Sequence, residues 1–81
     1  MKGEMSIVEI KIIGINTYNG QKLKEMINNT MKNSDIDINL IEINSSLRNN
    51  PLPILFINNT LVCQGRMVDE HFLKRSITLL T

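Results

Sequence analysis

At 81 residues the chain can hold one domain and a single core, and a domain this small buries only about 60–65% of the surface that its unfolded chain exposes. Hydrophobic residues make up 42% of it, enough to fold, whereas Tyr18, Phe56 and Phe72 are too few aromatics for a surface built on stacking. The net charge of +1 is scattered, and Arg66, Lys74 and Arg75 are interrupted by Asp69 and Glu70; with no concentrated basic face to displace counterions, a nucleic-acid partner is not expected.

Other classes are also set aside. The longest uncharged stretch, Asn49 to Gln64, is broken by prolines and asparagines, so no spanning helix and no membrane partner are expected. Met1-Lys2-Gly3-Glu4-Met5 has no signal-peptide apolar region, which makes a cytoplasmic location the default. Residues 1–6 read as a flexible start to a single domain covering 1–81. Cys63 is the one cysteine and His71 the one histidine. An internal disulfide is impossible, and no metal site or cofactor is expected.

In chain order, Ile7-Val8-Glu9-Ile10-Lys11-Ile12-Ile13-Gly14-Ile15 alternates as a strand. Val8, Ile10 and Ile12 take one face, Ile7, Ile13 and Ile15 the other, which predicts a central strand covered on both sides. Asn16-Thr17-Tyr18-Asn19-Gly20 breaks the pattern as a polar turn. From about Gln21 to Lys32 the period becomes helical, with Leu23, Met26, Ile27, Thr30 and Met31 on one face. Asn19 or Thr17 could cap it.

Ile36 to Ile43 is a second strand by alternation and β-branching. A polar connector from Asn44 to Asn50 follows, with one helical turn around Leu47. Ile54-Leu55-Phe56-Ile57 and Thr60-Leu61-Val62-Cys63-Gln64 flank Asn58-Asn59, a hairpin signal. Asp69 can cap a last helix that buries Phe72, Leu73, Ser76, Ile77 and Leu80. The predicted fold class is α/β in the order β-α-β-β-β-α, with a four-stranded mixed sheet and helices packed on it.

This order resembles the thioredoxin fold at its smallest. The chain is similar to the short glutaredoxin-like, redox-active disulfide family in Ile10-Lys11-Ile12-Ile13-Gly14, in Leu52-Pro53-Ile54-Leu55-Phe56-Ile57-Asn58-Asn59 and in Leu61-Val62-Cys63-Gln64-Gly65-Arg66. The resemblance runs from about Val8 to Leu80 and implies a cis-proline at Pro53. It also places the family's Cys-x-x-Cys motif on Thr17-Tyr18-Asn19-Gly20, where neither cysteine is present. A threonine hydroxyl at a helix N-terminus stays protonated at neutral pH, and glycine has no thiol, so dithiol exchange is excluded there.

The resemblance implies a groove whose contacts would be Thr17, Tyr18, Leu52, Pro53 and Gly65. Leu52 would pair its backbone with an extended peptide by strand addition. Thr17 reads equally as a helix cap, Tyr18 as a residue packed over the sheet edge, and Pro53 as a structural element. Cys63 reads as a small buried hydrophobe. Its catalytic alternative is a monothiol or glutathione-linked oxidoreductase, helped by Arg66. The leading expectation is a redox-inactive domain that binds a peptide or protein partner. A third reading is a structural protein that oligomerises through the edge strand Ile36–Ile43, guarded by Asp37, Asn39 and Glu42.

Overall fold

The computed structural model describes residues 7–32, 36–45 and 52–80. The expected flexible start at 1–6 and the helical turn around Leu47 lie outside those residues.

Strand β1 (Ile7–Ile13) is followed by helix α1 (Tyr18–Met31) and strand β2 (Asp37–Ile43). Strands β3 (Ile54–Ile57) and β4 (Thr60–Gln64) come next, and helix α2 (Glu70–Leu79) closes the chain. The strands form one four-stranded sheet in the order β2-β1-β3-β4. β1 pairs with β2 in parallel, and the β1–β3 and β3–β4 pairs are antiparallel, so the sheet is mixed.

Alternation decides which side of the sheet is dry. Val8, Ile10 and Ile12 of β1 join Leu55, Ile57 and Cys63 of the hairpin, Leu23 and Ile27 of α1, and Leu73 and Ile77 of α2 in one buried cluster. Both helices therefore lie on the same face. The β-branched residues suit the pleated surface, and the helical residues sit four apart, as one helix stripe requires.

The expectation of a strand covered on both faces is corrected here. Ile7 is 61% exposed and Glu9, Lys11 and Ile13 are half-buried, and among the described residues no helix covers that side. β1 is central because strands flank it, and its apolar residues on the second face do not report a second helix layer.

Two boundaries also move. β1 stops at Ile13 because Gly14 adopts φ +92°, a left-handed turn that a side chain disfavours. Helix α1 starts three residues earlier than its periodicity suggested, because Thr17 is extended and caps it. Tyr18 therefore sits in the first helical turn rather than in a polar turn. The expected Asp69 cap is present, with its Oδ1 accepting from the Phe72 N–H at 2.7 Å.

The hairpin has both Asn58 (φ 49°) and Asn59 (φ 68°) in the left-handed region. This is the primed geometry that matches the twist of paired strands. The Asn58 side chain fastens the turn at two points. Its Oδ1 accepts from the Glu9 N–H at 2.9 Å and its Nδ2 donates to the Leu80 carbonyl at 3.0 Å.

Candidate functional site

Of the residues that the resemblance singled out, Thr17, Leu52, Pro53 and Gly65 converge at the end of the sheet where β1 finishes and β3 begins. The Thr17 hydroxyl donates to the Gly14 carbonyl at 2.7 Å and accepts from the Gly20 N–H at 3.0 Å. Its one proton is thus held by the loop, which leaves none for a ligand.

Gly14 lies against Leu52: a Cβ added to it would meet Leu52 Cδ2 at 3.0 Å. The Leu52–Pro53 peptide is cis, and the Pro53 carbonyl accepts from the Gly65 N–H at 2.9 Å. Thr17, Gly14, Leu52, Pro53 and Gly65 thus form one continuous run of contacts linking the β1–α1 loop to the end of the hairpin.

Within this cluster the surfaces differ. The Pro53 ring is fully buried, so it shapes the cluster from beneath and cannot touch a partner. Leu52 is half-buried and Gly65, at φ +74°, is exposed. The Leu52 backbone N–H and C=O have no hydrogen-bond partner among the described residues. Tyr18 is 74% exposed, and the Lys22 ammonium sits 5.4 Å from its ring centroid, within cation–π range. Its ring joins this cluster through the chain and not through a contact.

Gly20 carries a constraint that its place in the sequence had concealed. A Cβ there would fall 2.2 Å from the Gly14 carbonyl oxygen, which is backbone and cannot step aside. Position 20 is therefore closed to any side chain. A glycine inside the first helical turn, where it costs about 1 kcal/mol relative to alanine, was the available sign of close packing.

Cys63 lies apart from this cluster on β4 and is 8% exposed. Burial pushes its thiol pKa up, and the nearby Arg66 charge and a hydrogen bond to the Leu55 backbone offset only part of that rise. The thiol makes a weak contact with the Arg66 carbonyl at 3.8 Å. His71 is exposed on α2, and no contact joins it to Cys63.

Phe72 departs from its expected buried place and is 42% exposed. It helps line an open pocket of about 510 Å³ with Leu61, Val62, Cys63, Arg66 and Met67 along β4. Among the described residues, no three His, Cys, Asp or Glu side chains are grouped to hold a metal ion, and no helix is long and apolar enough to cross a membrane.

The class this defines is a small α/β domain: a mixed four-stranded sheet with two helices on one face and a hydrogen-bonding cluster at one end. No protein-family model, curated protein or solved structure matches the chain.

Proposed function

We propose that the chain is a thioredoxin-like domain that has lost its redox chemistry and holds an extended peptide segment of a partner protein in the former substrate groove. The observation that carries this reading is the Leu52 backbone, which has no hydrogen-bond partner among the described residues, between the Gly14–Thr17 loop and Gly65. A donor and an acceptor that no described residue satisfies invite pairing with one residue of an added strand. Gly65 leaves room for that strand, and Tyr18, next to Thr17 in the chain, is an exposed aromatic available to a bound segment.

The competing reading, a monothiol or glutathione-linked oxidoreductase acting through Cys63, finds little support. A reactive thiol needs exposure and a depressed pKa, and Cys63 has neither. Pairing through the edge strand has one observation in its favour: β2 lies at the sheet edge and none of its residues is fully buried.

Tyr18 is the only tyrosine and there is no tryptophan, so tyrosine fluorescence reports on the surroundings of Tyr18 alone. Titrating the chain with pooled unstructured peptides that lack aromatic residues should change that signal saturably. Tyr18→Ala, followed by amide chemical shifts, should weaken binding by roughly five- to tenfold, in line with an aromatic contact of about 1 kcal/mol. Binding that leaves the Thr17, Leu52 and Gly65 amides unmoved would refute the reading.

A further inference from the structure

From the open face of the sheet we infer a self-association surface, with a second copy of this chain as its occupant and Glu9 and Lys11 as the residues that set its register. Strand β1 alternates Val8, Ile10 and Ile12 into the core, which turns Ile7, Glu9, Lys11 and Ile13 to the opposite side. Neither Glu9 nor Lys11 has an ion-pair partner among the described residues; the one ion pair there joins Lys24 to Glu42 at 3.1 Å.

The order apolar, acidic, basic, apolar complements itself when reversed. A two-fold axis lying in the interface between residues 9 and 11 runs the two copies of β1 antiparallel. Ile7 then faces Ile13 of the other copy, and Glu9 faces its Lys11. An isologous contact needs this property, because the same patch must fit itself. Opposite charges brought together in this way fix register and exclude wrong alignments.

Asp37 and Asn39 flank Ile7 and Glu9 on β2, and the apolar surroundings lie at the Lys11–Ile13 half of the face. Register places Ile41 and Phe56 on either side of Lys11, and Ile43 and Ile54 on either side of Ile13. Leu61 of β4 lies beside Phe56 and is 51% exposed. The Lys11 ammonium sits 5.8 Å from the Phe56 ring centroid, so its stem crosses apolar surface while its charge stays available.

The area is adequate for a weak, specific dimer. Strands about 4.8 Å apart and a central strand rising about 3.3 Å per residue give a face of roughly 400 Å² in projection, or roughly 1,200 Å² of accessible surface for two corrugated copies, the lower bound for specific interfaces. Area does not fix affinity, so a dissociation constant on the order of 10–100 μM, that of a weak dimer, is taken as the working value for the test.

The test is sedimentation equilibrium of the 81-residue chain from about 10 μM to 1 mM, the range that brackets that constant. The native chain should pass from monomer to dimer across it. Glu9→Lys and Lys11→Glu should each weaken the dimer by at least about tenfold, since each sets like charges against one another. An equimolar mixture of the two variants should recover it, because one copy then offers two lysines and the other two glutamates. The double variant Glu9→Lys/Lys11→Glu should associate as the native chain does. Ile7→Ser, at a position outside the core, keeps the test open if a charge variant fails to fold; it too should weaken association. A chain that stays monomeric throughout overturns the inference, as does a dimer indifferent to charge reversal or a mixture that fails to recover.

Discussion

At Gly20 two rules of helix chemistry conflict, and magnitudes decide between them. Alanine in a helix is favoured over glycine by about 1 kcal/mol, yet here its Cβ would overlap the Gly14 carbonyl oxygen at 2.2 Å. Backbone overlap of that size displaces the helix start, and overpacking typically costs about 1–3 kcal/mol or more. Gly20→Ala should therefore lower stability by about 2 kcal/mol in urea unfolding, whereas relief by helix propensity would raise it. The same overlap means that placing cysteines at positions 17 and 20 should disturb the loop.

Cys63 gives a pH test at the same scale. Its folded pKa is raised, chiefly by burial, so the folded state holds the thiol proton after the unfolded chain has released it. The contribution to stability is complete below the unfolded value, about 8.5, and falls away as pH climbs through the higher folded value. Unfolding free energy measured from pH 7 to 10 should decline more steeply for the native chain than for Cys63→Ala. Equal slopes would mean that the thiol is not shielded. Below about pH 8 a thiol reagent should leave the folded protein unlabelled, since the thiolate is the reacting form.

The elements differ in how openly the sequence announced them. Asn58-Asn59 between two apolar runs was enough for the β3–β4 hairpin, because only a few residue types tolerate two successive left-handed positions. Asn59→Gly should stabilise the hairpin by a few tenths of a kcal/mol, as glycine has no steric penalty at φ 68°. Asn58→Gly should instead destabilise it, because two hydrogen bonds to β1 and to the end of α2 are lost. Thermal melts of the two variants should move in opposite directions.

The start of α1 was harder to read. Tyr18-Asn19-Gly20 carries no apolar period, so the helix reaches back to Tyr18 through the Thr17 cap and not through burial. Phe72 was misplaced for a related reason: a helical stripe drawn from periodicity does not show that β4 ends in an open pocket beside it. Alternation in β1 named its core face correctly. It could not show that the second apolar face lacks a covering helix, because strands bordered by other strands and strands buried between layers share that pattern.

Across the whole molecule, the site's legibility followed from contact order. Leu52, Pro53 and Gly65 were named from a resemblance, and their meeting with the Gly14–Thr17 loop depends on β3 pairing with β1 across a long separation in sequence. Local periodicity carries no information about such a meeting. The single-layer cover of helices makes this a thin domain, consistent with the small margin expected at its length. Among the described residues, one sheet face is left without a covering helix, and the Leu52 backbone is left without a hydrogen bond.

The central claim is that the Leu52 backbone awaits a partner strand, and amide hydrogen exchange at Leu52 tests it most directly. In the free protein this N–H should exchange rapidly, while Ile10 and Leu55 in the sheet core stay protected. Saturating peptide should slow the Leu52 amide by about tenfold or more as its hydrogen bond forms. A Leu52 amide already protected in the free chain, or one whose rate ignores the bound peptide, would contradict the account.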